Sequence, residues 1–338
     1  MGLLCNYVDA MRTSTLFAST AKLATKLPTT HETKPWSPRP EPLRASLAST
    51  KITQSPSKRL ADLKILKTLA PALFGEVLLC LDAKTGGHVA VKRVDLRCAH
   101  AHVTIGKAIR VVESLEQERA VHAKLVDAAS TNLLVLEEEV HCHGHLYLIF
   151  PYCARGDLFD VVRNSPFDGR LTEALARPFL QDVVQGLLCL KRNGFAHRDI
   201  SLENVLLDAT GGCYVCDFGL AIHHGKRQVP GRVGKAWYMA PEVYAANEPY
   251  DALQADMWSL GVLLAIMLMG APLVEKPACT DRRFCVLNQA GSVRGLYKLF
   301  PSELADVTWD LLDKLLRINP TERPTLEQVA DHAFLACR

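Results

Sequence analysis

One stretch near the middle of the chain restricts its fold more than any other. Phe195–Leu207 places the carboxylate of Asp199 and the amide of Asn204 in a polar loop that leads into an apolar strand. A second apolar stretch ends directly before Asp217. Two carboxylates and an amide that converge on one cleft suit a hard divalent cation, and one carboxylate is left to act as a base. The pattern therefore predicts a metal-assisted site where the first strand begins and the second ends.

Both stretches resemble those of the eukaryotic protein kinases, and the match continues in order from Leu60 to the end of the chain. His197–Asp199 with Asn204 is similar to the catalytic loop, and Asp217–Gly219 is similar to the metal-binding triplet. Four more matches keep the family's order: Val89–Lys92 with the strand lysine, Ala240–Glu242 at the end of the activation segment, Asp256–Gly261 at the start of the central helix, and Arg323 as the partner of Glu242. The Tyr238–Glu242 motif favours the serine/threonine type, nearest to the calmodulin-dependent kinase group.

The resemblance implies an α+β fold with two lobes. We expect a small antiparallel β lobe with one regulatory helix over residues 60–152, and a larger, mainly helical lobe over 153–338. Residues 1–59 are predicted to be a disordered tail, because they are basic, rich in Ser, Thr and Pro, and without an apolar period. The uncharged stretch Met257–Val274 is long enough to cross a membrane, but its place inside the kinase-like region favours a buried core helix.

The resemblance also implies roles for single residues. Asp199 would accept the proton of a substrate hydroxyl, and Asn204 and Asp217 would hold Mg²⁺ against the phosphates of ATP. Lys92 would bind the α- and β-phosphates, positioned by a glutamate of the regulatory helix. We choose Glu118 for that position, with Glu116 as the alternative. Glu118 is separated by helical spacing from other residues that would face inward, so it would lie on the same face of the helix. That set consists of Leu115, His122 and Leu125.

The nucleotide itself needs an apolar slot beside exposed backbone. Leu146–Cys153 resembles the last small-lobe strand running into the hinge, which puts Phe150 at the gatekeeper position and closes the pocket behind the nucleotide. The resemblance implies a full set of nucleotide contacts: Leu69, Gly75, Val77, Ala90, Lys92, Pro151, Cys153, Asp157, Glu203 and Leu206.

The phosphate-covering loop departs from the family pattern. Where the family has three glycines, this chain has Ala70, Ala72 and Gly75. Glycine permits left-handed backbone, and an alanine forced into it costs about 1–2 kcal/mol, so we expect weakened ATP binding. This change and Ser201 support an alternative function, a pseudokinase scaffold that binds nucleotide weakly.

A second departure concerns a lysine. The family carries Lys two residues after the catalytic Asp, where this chain has Ser201, and it carries Thr where this chain has Lys235. Because those two positions contact each other in the family, lysine and hydroxyl have exchanged places. One hypothesis is that Lys235 supplies the charge for the γ-phosphate from the opposite side; the other is that Lys235 is solvated and the loop lacks a cation.

The activation segment is the third departure. Between Gly219 and Lys235 the chain has no Ser, Thr or Tyr, so phosphorylation within this segment cannot be the switch. The segment instead carries basic residues, namely His223, His224, Lys226, Arg227 and Arg232. We expect an enzyme that is constitutively competent, or one ordered by an anion, an acidic partner or an acidic substrate.

The remaining expectations concern compartment and assembly. Eleven cysteines without a secretory segment favour reduced thiols in the cytoplasm. Two alternatives rest on the N-terminus: an acylation signal at Gly2 and Cys5, and a mitochondrial transit peptide from Met11. We expect a monomer that binds ATP and a protein substrate, without nucleic acid and without a membrane span.

Overall fold

The computed structural model describes residues 56–125, 132–225, 231–299 and 304–336. Its first part is a five-stranded antiparallel sheet with the strand order β1-β2-β3-β5-β4. The strands are β1 (Leu63–Ala72), β2 (Gly75–Asp82), β3 (His88–Asp95), β4 (Glu138–Cys142) and β5 (His145–Pro151). Three helices accompany the sheet: α1 (Pro56–Ala61), α2 (Leu96–His100) and α3 (Leu115–Leu125).

The central strands β2, β3 and β5 contribute buried residues to two apolar clusters, one on each face of the sheet, which explains why these strands are mainly apolar. Successive residues of a strand point to opposite faces. In β3, Ala90 and Val94 therefore join one buried cluster and Val89 and Val91 join another. Lys92 shares the face of Ala90 and Val94, and its register neighbours are Val77 on β2 and Leu148 on β5. The strand thus fixes this lysine on the sheet face that looks toward the rest of the site.

The second part of the chain is mainly helical and holds the largest core cluster. Its helices are α4 (Leu158–Arg163), α5 (Glu173–Arg192), α6 (Pro241–Ala245), α7 (Ala252–Met269), α8 (Arg282–Ala290), α9 (Asp306–Leu315), α10 (Leu326–Ala330) and α11 (Ala333–Ala336). Four short strands pair in two small sheets: β6 (Phe195–Ala196) with β9 (Ile222–His223), and β7 (Val205–Leu207) with β8 (Cys213–Val215). The predicted two-lobed α+β architecture is confirmed.

Helix α7 is the centre of the large lobe. It is apolar all round, as expected for a helix packed on every side. By length and composition it could span a membrane, but 89% of its apolar window is buried within the protein. Asp251 caps its start by accepting from the backbone N–H groups of Leu253 and Gln254, and Gly270 ends it in the left-handed conformation with φ 74°.

The folded part begins earlier than the sequence predicts. Arg59, which we assign to the tail on composition, lies in α1 with only 4% of its surface exposed. Its guanidinium binds both carboxylate oxygens of Asp82 at 3.0 Å and Glu138 at 2.6 Å. These partners lie 23 and 79 positions away, so local composition carries no sign of them. The acylation and transit-peptide hypotheses fall on residues outside the described part.

Candidate active site

Lys92 is held by a glutamate of the single long helix of the small lobe. Its Nζ atom lies 2.7 and 2.8 Å from the two carboxylate oxygens of Glu118, and both side chains are buried. Burial disfavours the charged ammonium, but the carboxylates of Glu118 and Asp217 outweigh it and hold the pKa of Lys92 above its ordinary value. Of the two candidate glutamates, Glu118 is the one that contacts Lys92. Glu116 is instead bonded to Ser114 at the start of the helix.

Asp199 and Asn204 contact each other within the loop that joins β6 to β7. The amide of Asn204 donates to the Asp199 backbone oxygen at 2.8 Å and to Asp199 Oδ2 at 2.7 Å. Its own side-chain oxygen is buried and has no hydrogen-bond partner among the described residues. An orphaned amide oxygen is the type of ligand that Mg²⁺ takes, so the residues present fit the predicted ion.

Buried side chains fix the backbone of this loop. Arg198 has the left-handed φ of 64°, and the carboxylate of Asp256 on α7 accepts from the backbone N–H groups of His197 at 2.7 Å and Arg198 at 2.8 Å. His197 accepts from the Asp199 N–H through Nδ1 at 3.2 Å, so its Nε2 donates to the Cys216 carbonyl at 3.0 Å. Since Cys216 precedes Asp217, this imidazole ties the two carboxylate-bearing segments together.

Asp217 follows β8 directly and also has left-handed backbone, with φ 68°. Burial raises the pKa of its carboxyl; Lys92 opposes this, and the neighbouring carboxylates of Glu118 and Asp199 add to it. Asp217 thus lies near two further carboxylates, an environment that a divalent cation would stabilise.

Lys235 reaches Asp199 from the activation segment. Its Nζ atom lies 2.8 Å from Asp199 Oδ2 and 2.9 Å from Ser201 Oγ, and its backbone N–H donates to Asp199 Oδ1 at 3.1 Å. Only 17% of its side chain is exposed, so it is not the solvated lysine of our second hypothesis. Burial alone would raise the pKa of Asp199, but the Lys235 ammonium and the hydrogen bonds hold it below its ordinary value.

Gly234 makes this approach sterically feasible. Its φ is 84°, and a Cβ atom there would lie 2.7 Å from the Arg198 carbonyl oxygen. No side chain fits such a gap, so glycine lets the backbone pass close enough for Lys235 to bond Asp199.

A cleft lies between the lobes and encloses about 580 Å³ of empty space, part of which is open to solvent. Eight of the residues that line it belong to the sequence predictions: Val77, Ala90, Lys92, Glu118, Pro151, Cys153, Leu206 and Asp217. Burial raises the pKa of the Cys153 thiol to about 12, so this wall of the cleft is uncharged. Phe150, the predicted gatekeeper, also lines the cleft.

Some predicted contacts lie elsewhere among the described residues. Leu69 is packed in the small-lobe core, and Gly75 begins β2. Asp157 caps α4 by accepting from the Asp160 N–H at 2.7 Å, and burial raises its pKa to about 7. Glu203 lies on the short 3₁₀ turn Leu202–Asn204.

The structure adds lining residues to the predicted set: His122, Leu134, Tyr152 and Cys216. Of these, His122 carried a signal in the sequence, since it is a polar residue on the inward face of a helix.

The prediction of backbone strain in the phosphate-covering loop is wrong. Ala70, Ala72 and the residues between them and Val77 have no positive φ, because β1 and β2 stay paired up to the contact of Ala72 with Gly75. The turn is therefore only Leu73 and Phe74, and Phe74 packs into the small-lobe core with 6% exposure. Gly75 is required for another reason: a Cβ atom there would lie 1.8 Å from the Arg93 carbonyl oxygen.

The basic side chains of the activation segment have partners within the chain. The nearby Arg198 of the catalytic loop also has partners, since it donates to the Leu220 carbonyl at 2.8 Å and to the Tyr250 hydroxyl at 3.2 Å. His224 is bonded to the Lys191 carbonyl at 2.9 Å, and Arg232 donates to the Tyr244 carbonyl at 2.6 Å. His223 packs against the Phe195 ring at 4.3 Å. Lys226 and Arg227 lie outside the described residues, so the prediction of an acidic substrate gains no support from the described part of the segment.

Comparison with known proteins agrees with this geometry. Residues 63–335 match the family model of the protein kinase domain. The chain is 31% identical over 284 residues to the serine/threonine-protein kinase PLK4 of Danio rerio, covering 82% of this chain and 27% of that protein. It is 30% identical over 289 residues to an Aurora kinase of Yarrowia lipolytica, covering 85% and 71%. It is also 30% identical over 273 residues to the NUAK family SNF1-like kinase 2 of Rattus norvegicus, covering 80% and 39%.

The chain belongs to the protein kinase domain family, since the family model spans most of its length. Its serine/threonine type is confirmed by these relatives. The similarity to the NUAK kinase is consistent with the predicted resemblance to the calmodulin-dependent kinase group. The chain spans about a quarter of the length of the PLK4 relative.

Proposed function

We propose that this chain transfers the γ-phosphoryl group of ATP to a serine or threonine hydroxyl of a protein. The observation that carries the proposal is the proximity of four side chains: Lys92 and Asp217 line the cleft, and Asp199, which is bonded to Asn204, lies close enough to Asp217 to raise the pKa of its carboxyl. In phosphoryl transfer the protein supplies positioning and charge rather than covalent chemistry. Those four side chains are the ones that supply both.

Each residue has one task in the proposed reaction. Lys92, fixed by Glu118, binds the α- and β-phosphates, while Val77, Ala90 and Leu206 enclose the adenine. The oxygen of the substrate hydroxyl bonds to the γ-phosphorus, and Asp199 takes the hydroxyl proton. The bond between the γ-phosphorus and the oxygen that it shares with the β-phosphate breaks, which releases ADP.

Asn204 and Asp217 would hold Mg²⁺, which neutralises charge on the phosphates when bound. Mg²⁺ commonly takes only one or two protein ligands besides phosphate oxygens, so this pair is a sufficient set. The orphaned side-chain oxygen of Asn204 supports its share of this role.

We further propose that Lys235 does the work of the lysine missing at Ser201. The support is its position, within hydrogen-bond distance of both Asp199 and Ser201. An ammonium held there would face the γ-phosphate from the activation segment instead of from the catalytic loop.

A radiolabelled phosphate-transfer assay beside Asp199→Ala tests the function. We expect transfer by the wild-type protein and a loss of at least about 1,000-fold in the variant. Equal signals from the two proteins would favour the pseudokinase scaffold instead. The proposal of an active enzyme is supported by the backbone of Ala70 and Ala72, neither of which has a positive φ.

We propose that the chain is located in the cytoplasm. The support is chemical: the nine cysteines within the described residues are all free thiols, as expected in a reducing compartment.

A further inference from the structure

The chain between α2 and α3 folds into a small hairpin beside the active site. Residues 102–111 turn back on themselves, and one antiparallel bridge crosses the turn. The Thr104 N–H donates to the Ile109 carbonyl at 2.9 Å, and the Val111 N–H donates to the His102 carbonyl at 2.9 Å. These bonds give the segment a defined backbone, and we call residues 102–111 the strap.

One backbone hydrogen bond joins the strap to the phosphate-covering loop. The Ile105 N–H, in the turn of the strap, donates to the Leu73 carbonyl at 3.0 Å. Leu73 is the first of the two residues that connect β1 to β2, so the bond reaches the tip of the loop that would cover the phosphates of ATP. Ile105 itself is 48% exposed, so burial of its side chain contributes little to this contact.

The base of the strap is held close to the metal-binding triplet. The ring nitrogen Nδ1 of His102 lies 3.1 Å from the Glu113 carbonyl oxygen. The next residue, Ser114, donates its N–H at 3.1 Å to the carbonyl of Gly219, which belongs to the same triplet as Asp217. The strap therefore connects the neighbourhood of the triplet to the tip of the phosphate-covering loop.

A second cavity lies between the phosphate-covering loop and the start of α3. It encloses about 240 Å³ of empty space, part of which is open to solvent. Leu73 and Phe74 of the loop line it, and so do Glu113 at the base of the strap and Lys92. Lys92 also lines the main cleft and would bind the α- and β-phosphates, so the strap is bonded to the loop at the phosphate end of the nucleotide site.

We propose that Ile105 is a positioning residue, whose backbone N–H holds the phosphate-covering loop over the bound nucleotide and slows nucleotide release. The proposal rests on the proposed function of the site. A covering loop has to move when nucleotide leaves, and a loop bonded at its tip can move only if that bond breaks or the strap moves with it. A strap that only covered the surface of the lobe would affect stability but not the rate of release.

Ile105→Pro tests the bond directly, because proline has no backbone N–H. We expect a fluorescent ADP analogue to dissociate from this variant about three- to tenfold faster than from the wild type, which is the range for the loss of one hydrogen bond. The KM for ATP should rise by a similar factor. Phosphoryl transfer in a single turnover at saturating ATP should stay within about twofold of the wild-type rate, because the catalytic side chains are unchanged.

Two controls separate the bond from other effects of the substitution. Ile105→Ala removes the exposed side chain and keeps the N–H. Lys107→Pro places a proline in the same turn, at a position whose N–H has no backbone acceptor among the described residues. Both variants should release the analogue within about twofold of the wild-type rate.

A shortened strap and hydrogen exchange keep the test decisive if Ile105→Pro does not fold. Replacing residues 103–110 by Asn-Gly closes the bonded pair of His102 and Val111 with a two-residue turn and removes the donor to the loop. We expect the same acceleration of release. In the wild type, the Ile105 amide should exchange with solvent at least about tenfold more slowly than the Lys107 amide.

Wild-type release rates in both Ile105→Pro and the shortened strap would overturn the proposal, and so would an Ile105 amide that exchanges as fast as that of Lys107. Equal acceleration in Ile105→Pro and Ile105→Ala would also overturn it, because the side chain would then be responsible. A wild-type protein that binds the analogue but transfers no phosphate would contradict the proposed function, and the release rates would still decide whether the strap holds the loop.

Discussion

Exchanging the residues at positions 201 and 235 tests whether the site needs a lysine at a given place in space rather than at a given place in sequence. The perturbation is a double-mutant cycle of Ser201→Lys and Lys235→Thr. The double variant restores the arrangement usual in the family, with lysine on the catalytic loop and hydroxyl on the activation segment. In the wild type, Lys235 Nζ lies 2.9 Å from Ser201 Oγ, so the two side chains are in direct contact.

The magnitudes follow from the contacts of Lys235. Lys235→Thr removes a buried ammonium that lies 2.8 Å from Asp199. Loss of one charge-stabilising donor in an active site costs about 100-fold in kcat, or about 2.7 kcal/mol. Ser201→Lys places a second ammonium beside the first, and we assign about tenfold, or about 1.4 kcal/mol, to that repulsion.

Independent effects would sum to about 4.1 kcal/mol, a loss of about 1,000-fold in the double variant. If the two positions share one role, the double variant recovers to within about tenfold of the wild type. The coupling energy is then about −2.7 kcal/mol.

The assay is kcat at saturating ATP and substrate for the four proteins, with the melting temperature of each as a check on folding. Ser201→Ala is the matched control, because it removes the hydroxyl but no charge, and we expect it to stay within about threefold of the wild type. A double variant with the full product of the two single losses would refute the exchange.

Three further predictions follow from other parts of the structure. Ala72→Gly should change the KM for ATP less than about twofold and lower the free energy of unfolding by about 0.5–1 kcal/mol, because residue 72 is unstrained strand; a clear gain in ATP affinity would contradict this. Gly75→Ala should lower the free energy of unfolding by about 3 kcal/mol in urea titrations, because its Cβ would overlap the Arg93 carbonyl. Asp157 binds its proton more tightly when folded, with a pKa of about 7, so its ionisation should remove about 2–3 kcal/mol of stability from pH 5 to pH 8, and Asp157→Asn, which cannot ionise, should lose less stability by about that amount.

The parts of the site that depend on short-range pattern could be predicted from the sequence. The choice of Glu118 over Glu116 rests on helical spacing, and the structure places Glu118 against Lys92. The central helix could be assigned because an uninterrupted apolar stretch inside a folded region has to be buried. In both cases the deciding neighbours lie within a few turns of one element.

The parts that depend on distant partners could not be predicted. Arg59 is charged and follows a polar segment, so only its two carboxylate partners in the sheet place it in the fold. The prediction of strain in the phosphate-covering loop failed for a different reason. A rule about glycine was carried over from the family, whereas here the pairing of β1 with β2 sets the backbone angles of Ala70 and Ala72.

The exchange of Ser201 and Lys235 lies between these cases. The sequence shows both departures but not the contact, because 34 positions separate the two residues. The chemistry of Asp199 explains why a lysine is needed here. Burial raises the pKa of its carboxyl, so a nearby ammonium is needed to keep the base ionised. The ammonium group therefore has to lie beside the Asp199 carboxylate, but it can come from either segment of the chain. A left-handed glycine at position 234 brings the activation segment close enough, so the lysine can come from there.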